Sequence, residues 1–437
     1  MHNIALFDSC VSKKRTKIMP IPNLRYPKAL LVASLLAMSS PLFAAELPEG
    51  TVISKANIDS IQNDTFMGHK ISDLLTEKMA WFVRNHNKKY PLVKSPPLVL
   101  DAKYWEATKK YSGQVKFNTQ TREVTGYVAG KPFPDIDPAD PFAGDKVIWN
   151  YYYGASTGSD INQDVMFTLA NKSGYESSSR WTYQRIYNKG RLWDGDSAFS
   201  DKDVLNKLVL VALTPQDLKG VGTFTTQYDI AGKPDDQWAY IKSARRIRRL
   251  SGNAWMDNVG GFDFINDDIN IWNSRPSKYK SIKLLGKRWI LANIDYSKVN
   301  AARVTSKAGT AGEWPQIDYS DPIAQSVQGV TPVEVWVVEG TPPPEHPYSK
   351  KIVYEDVNTN VIYYGEAYDK KGEFWRWQNY HFEQRRGAKS GMKYISVAGG
   401  EYADLKAQHV TFYMTPGVND TGLNATTFNA DILETLQ

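Results

Sequence analysis

The sequence predicts a mainly β, α+β protein: one large, curling antiparallel sheet with a helical element near its start. Three observations predict it. From about Gly113 onward, apolar residues recur at every second position in segment after segment. These segments follow one another without long helices between them, which argues for hairpins and against βαβ units. They are also rich in Val, Ile, Thr, Tyr and Trp, with 25 Tyr and 13 Trp in the chain, the residues that suit a pleated, half-buried surface. About ten strands in one sheet tend to curl or close, and a helix sequestered by the curl would lie on the concave face.

The elements follow in chain order. Leu24 to Lys28 (LRYPK) is basic, Ala29 to Met38 (ALLVASLLAM) is apolar, and Ala44 and Ala45 precede an acidic start. That pattern reads as a secretory signal over residues 1–45, with Met19 as a second candidate start and cleavage near Ala44/Ala45. Its apolar run is too short to span a bilayer. The segment carries six Lys/Arg and one Asp, so its removal takes the net charge from +6 to +1. The sequence pI of about 8.9 therefore belongs mostly to the signal, and a polyanion-binding or nucleic-acid function loses its support. Cys10 leaves with it, which removes any disulfide, thiol nucleophile or lipidation cysteine. The expectation is a periplasmic protein without a lipid anchor.

Residues 46–112 read as a helical segment that packs on the sheet. Ile71, Leu74, Leu75, Met79, Phe82 and Val83 make one apolar stripe that ends before Pro91. A second helix starts at Asp101 as N-cap and runs AKYWEATKKY. Residues 113–437 read as the curved β domain, with 46–437 as one structural domain. Its strand candidates include QVKFNTQTREVTGYV, DKVIWNYYY, VMFTLANKSGYESSSRWTYQRIY, LNKLVLVAL, DQWAYIKSARRIRRL, SIKLLGKRWILANI, PVEVWVVEG and QHVTFYMT. Ser173-Gly174 and Lys371-Gly372 supply tight turns, and GTPPPEHP is a stiff polyproline-type connector.

Little in the chain predicts catalysis. His69, His86, His346, His381 and His409 are far apart and show no ligand spacing, so neither a metal nor any other cofactor is expected. There is no GxSxG, no P-loop and no dinucleotide fingerprint. Asp263, Asp267 and Asp268 in DFINDDIN read first as a structural acidic turn, with hydrolysis through Asp267/Asp268 as the enzymatic alternative.

The aromatic residues carry more information. Trp238, Tyr240, Ile247, Trp336, Val338, Tyr354, Tyr364, Trp375 and Trp377 sit on strand candidates. They either fill a sheet core or line an apolar groove that shelters a hydrophobic ligand. In WAYIKSARRIRR, a strand would send Arg245, Ile247 and Arg249 to one face and Arg246 and Arg248 to the other. Four guanidiniums split this way cannot form a flat nucleic-acid stripe. They either pair with acids such as Asp263 and Asp267 or bind an anionic head group or protein partner.

WAYIKSARRIRRLSGNAWMDNVGGFDFINDDINIW resembles a W-x-Y-x-P-x-x-R-R-I/V-R-R signature leading into a G-x-D-x-x-x-D-D turn. With VTGYVAGKPFPDIDPADPFAGDKVIWN upstream and PVEVWVVEGTPPPEHPYSKKIVYEDVNTNVIYYGEAYDKKGEFWRW downstream, the chain is similar to a proteobacterial periplasmic domain-of-unknown-function family named for outer-membrane lipoprotein sorting. Lys242 departs from that pattern, where proline is usual. The resemblance implies a fold like the lipoprotein carriers LolA and LolB, an unclosed half-barrel around a few helices with a hydrophobic cavity. It also implies partners: an RND-type inner-membrane transporter and an outer-membrane barrel protein. The expected function is a non-enzymatic carrier or adaptor for a lipid or other hydrophobic small molecule. A twelve-carbon chain costs roughly 10 kcal/mol to expose to water, so an aqueous crossing needs such a shelter. The other alternative is a protein-docking adaptor with no ligand of its own.

Overall fold

The computed structural model describes residues 44–154, 158–194, 203–242, 245–250, 254–295, 317–415, 417–424 and 427–435. The predicted signal, apart from its last two residues, lies outside them, as do Met19 and Cys10. Among the described residues no helix is long and apolar enough to cross a membrane.

Fourteen strands form one antiparallel sheet: β1 (Asp160–Asn171), β2 (Gly174–Tyr187), β3 (Val204–Thr214), β4 (Gly222–Tyr228), β5 (Asp236–Ile241), β6 (Arg246–Arg249), β7 (Ser281–Ala292), β8 (Thr331–Thr341), β9 (Lys350–Asp356), β10 (Ile362–Tyr368), β11 (Phe374–Arg386), β12 (Lys393–Asp404), β13 (His409–Met414) and β14 (Gly417–Asn419). Their order is β6-β5-β4-β3-β2-β1-β13-β12-β11-β10-β9-β8-β7, with β14 also pairing with β1. Two meanders thus join where β1 meets β13, in a register that sets Phe167 opposite Tyr413. The sheet stays open, with β6 and β7 as its edges.

Helix α1 (Glu77–His86) starts at Thr76, whose side chain accepts from the Met79 N–H at 3.1 Å. The predicted stripe is broken here, because Ile71–Leu74 forms a separate turn ahead of that cap. Phe82 carries α1 onto the sheet, 5.3 Å from Trp377. Helix α2 (Ala102–Tyr111) begins at Asp101, as its cap predicted. Helix α3 (Ala143–Tyr152) corrects the reading of DKVIWNYYY as a strand. Seven of its ten residues are buried, Asp145 and Asn150 among them, so its polar residues do not mark an exposed face. Its β-branched and aromatic residues favour a strand locally, and burial against the sheet overrides that preference. Gly144 lets α3 approach β7, since a Cβ there would stand 2.6 Å from the Leu284 nitrogen.

The long connection from β6 to β7 does not run along the outside. It crosses one face of the sheet and buries Phe262, Phe264, Ile265, Ile271, Trp272 and Tyr279. This crossover is the inner wall of the candidate site.

Candidate functional site

A cavity of about 110 Å³ lies between the crossover and the sheet. Its sheet wall comes from β1 (Val165, Phe167), β3 (Leu208, Leu210), β11 (Tyr380), β12 (Tyr402) and β13 (Tyr413), and it reaches Gln237 on β5. Those positions span eight neighbouring strands. Laid flat they would extend roughly 34 Å at about 4.8 Å per strand, far wider than such a cavity. The sheet therefore curls around it, and this face is concave.

The crossover supplies the opposite wall through Trp255, Val259, Phe264 and Ile269. Phe262 stacks on Phe167 at 4.2 Å and Phe264 on Tyr402 at 4.4 Å. Further along, Asn270 (φ 54°) and Ile271 (φ 70°) are both left-handed, a conformation Asn tolerates and a β-branched residue resists. Contacts hold the bend in place. The Asn270 N–H donates to the Tyr380 hydroxyl at 2.7 Å, and the Tyr151 hydroxyl of α3 donates to the Asn270 carbonyl at 2.5 Å. Two glycines leave the sheet bare where the bend lands. A Cβ on Gly365 would meet Ile271 at 2.6 Å, and one on Gly340 would meet the Trp272 ring at 2.5 Å.

Buried charge fixes the crossover as well. Asp267 and Asp268 are fully buried. Asp267 accepts from the Tyr279 hydroxyl at 2.6 Å, from the Ser274 N–H at 3.2 Å, from the Ser274 hydroxyl and from Lys351 Nζ at 3.2 Å. Asp268 pairs with Lys351 at 2.7 Å and accepts from the Tyr348 hydroxyl at 2.5 Å. Burial alone would raise the Asp267 pKa, but Lys351, His346 and Ser274 outweigh it and hold the carboxyl well below the usual range. Burial pulls Lys351 down, and the two carboxylates more than reverse that. Neither aspartate lines the cavity. Asp263 stands apart, accepting from the Thr411 hydroxyl at 2.7 Å beside His409 Nδ1 at 2.6 Å.

A second chamber of about 80 Å³ adjoins the first and shares Gln163, Tyr183, Asn270, Asn273, Tyr380 and Val397 as wall. It is more polar, with Arg185, Asn206, Gln227 and the Tyr151 and Tyr187 rings around it.

None of the nine residues predicted to bind a ligand lines either chamber. Trp238, Tyr240 and Ile247 lie on the opposite face of the sheet, packed with Phe428 and Leu433 near the C-terminus. Trp377 stacks on Tyr364 at 4.9 Å under α1. Val338 is buried in the sheet core, and the Tyr354 hydroxyl donates to Glu366 at 2.7 Å. Trp336 is half-buried below Lys287, and Trp375 donates to Asp404 at 2.9 Å. Arg246, Arg248 and Arg249 are exposed on edge strand β6, with Arg245 (φ 46°) exposed just ahead of it. Arg249 pairs with Asp236. Sequence reasoning did not single out Phe167, Leu210, Phe264 or Tyr413. The alternation in QDVMFTL and the paired aromatics of GGFDFI were the available signals, and neither says which face is concave.

Among the described residues no group of His, Cys, Asp and Glu is placed to hold a metal ion. The chain matches, over residues 52–433, the family described as protein of unknown function (DUF1329), and it belongs to that family. No curated protein matches it. Similar solved structures include a DUF1329 family protein from Desulfovibrio piger (16% identity, TM-score 0.47, covering 68% of this chain and 99% of that one). A Vibrio parahaemolyticus domain named for outer-membrane lipoprotein sorting is also similar (16%, 0.44, 66% and 97%). So is a LolA superfamily protein from Nitrosomonas europaea (12%, 0.38, 66% and 98%).

Proposed function

We propose that this member of the DUF1329 family is a periplasmic carrier that shelters a hydrophobic molecule between its curled sheet and its crossover, without performing chemistry on it. The observation that carries the reading is the aromatic cavity. It is concave, with apolar wall from Val165, Phe167, Leu208, Leu210, Phe264 and Ile269, and with Asp235, Lys278 and several amides and hydroxyls as its polar groups. At about 110 Å³ it is near the scale at which an apolar cavity takes up a single benzene ring. A longer guest extends into the second chamber or displaces the crossover. The names of the Vibrio and Nitrosomonas structures agree with this reading. The exposed arginines around β6 are the surface we assign to a partner, and an RND-type transporter and an outer-membrane barrel protein are the partners the reading extends to.

The hydrolase alternative would require Asp267 or Asp268 to reach a substrate. Both are fully buried and committed to Lys351. The test is extraction and mass spectrometry of protein purified natively from its own envelope. A stoichiometric hydrophobic compound, displaced by the neutral probe N-phenyl-1-naphthylamine, is the expected result. Background lipid only, with no probe binding, would overturn the carrier.

A further inference from the structure

Among the described residues four arginines are buried, and three of them have carboxylate partners. Arg191 pairs with Asp194, Arg275 with Glu123 and Asp229, and Arg376 with Asp404. Arg185 is the exception. It is 5% exposed, and its hydrogen bond among the described residues is a long one, 3.3 Å from Nη1 to the Tyr187 hydroxyl. Its Nε and Nη2 are buried and donate to no group among the described residues. The rings of Tyr183 and Tyr187 stand 5.6 and 5.8 Å from its guanidinium. A buried cation without a counter-charge is costly, and folded proteins pair it or neutralise it. Arginine does not lose its proton in this range, so only a partner can compensate it.

The location of Arg185 indicates what that partner is. Alternation along β2 points Tyr183, Arg185 and Tyr187 toward the second chamber. No Asp or Glu among the described residues lines that chamber. Its other polar groups are uncharged: the Ser396 side chain, tyrosines such as Tyr151 and Tyr187, and amides, of which Asn206 donates to Gln227 at 2.7 Å and Gln227 to the Asn273 carbonyl at 3.2 Å. The chamber adjoins the aromatic cavity and shares lining residues with it.

We propose that the guest is an amphiphilic anion, with its carboxylate or phosphate head held by Arg185 in the second chamber and its apolar body in the aromatic cavity. This rests on the carrier reading and supplies its substrate class. The forked guanidinium offers Nε and Nη2 as a pair, the geometry that grips two oxygens of one anion.

The experiment displaces N-phenyl-1-naphthylamine from the full chain with laurate, dodecyl phosphate, dodecanol or inorganic phosphate. It uses wild type, Arg185→Gln and Arg185→Lys. Wild type is expected to prefer laurate or dodecyl phosphate over dodecanol by about 30-fold or more. Arg185→Gln is expected to lose that preference while keeping the neutral probe, and Arg185→Lys to fall between them. Because Arg185→Gln removes an uncompensated charge, its melting temperature is expected to equal or exceed that of unliganded wild type. Laurate is expected to raise the wild-type midpoint alone. Probe binding with no preference for the anions, or a preference that survives Arg185→Gln, would overturn the inference and leave the carrier standing. Inorganic phosphate protecting as strongly as laurate would also overturn it, in favour of a free-anion site. If Arg185→Gln does not fold, the wild-type ligand preference and Arg185→Lys still decide. No binding of probe or amphiphile to wild type would remove the carrier and this inference together.

Discussion

Lys351→Met is expected to destabilise the protein by about 3–5 kcal/mol near neutral pH, because it removes the ammonium two buried carboxylates share and leaves them only the more distant His346 (3.5 Å from Asp267) and Arg376 (3.9 Å from Asp268). Lys351, Asp267 and Asp268 are all fully buried, so solvent cannot screen the loss. For a folded unit of residues 44–437, an unfolding entropy of about 2.1 cal/mol/K per residue amounts to roughly 0.8 kcal/mol/K, so the midpoint falls by about 4–6 °C. The pH dependence follows from the two shifts. Asp267 is lowered in the folded state, so its contribution is present above the unfolded pKa of about 3.9 and is lost as pH falls through the folded value. Lys351 is raised, so its contribution is full below about pH 10.4 and is lost as pH rises through its folded value. The gap between variant and wild type is therefore widest between about pH 5 and 10. It narrows in acid, where the Asp267 contribution is lost. Thermal melts across that range, with Asp268→Asn added to Lys351→Met as a partial rescue, check the argument. A variant within 1 kcal/mol of wild type at pH 7 would refute the claim that this cluster anchors the crossover.

Three further outcomes follow from the same geometry. Gly340→Ala drives a methyl into the Trp272 ring, 2.5 Å away, and is expected to cost about 1–3 kcal/mol in denaturant melts. A neutral result would mean that Trp272 is not seated on β8. Leu210→Trp fills the aromatic cavity and is expected to abolish binding of N-phenyl-1-naphthylamine with little loss of stability. Unchanged binding would place the probe elsewhere. His381 is held neutral by burial, with its pKa lowered to about 3. The unfolded chain therefore takes up this proton first as pH falls below 6.5, and stability drops by about 1.4 kcal/mol per pH unit until the folded value is reached. His381→Gln is expected to flatten that slope in melts between pH 6.5 and 4.5, and an unchanged slope would assign it to other groups.

The fold class was legible because strand alternation and turn residues are local signals, and the resemblance carried by the arginine signature pointed to the family. Helix α3 was not legible, since its run of β-branched and aromatic residues reads locally as a strand. The cavity was harder still. Trp238 and Leu210 sit on strands of equally plain alternation, yet one faces Phe428 and the other the cavity. The facing depends on which way the sheet curls, and that is set by the crossover and its anchors on Gly340, Gly365 and Lys351, all distant in sequence. Arg185 was hidden for a related reason. In TYQRIY it looks like one more strand arginine, and only the surrounding tyrosines and the missing carboxylate distinguish it.

A crystal structure of the protein with a bromine-tagged fatty acid tests the shelter itself. The account predicts an anomalous peak within the chamber bounded by Phe264, Leu210 and Tyr413, and the acid's oxygens at Arg185. Full occupancy by the fatty acid at any other place on the molecule, with that chamber unchanged, would contradict it.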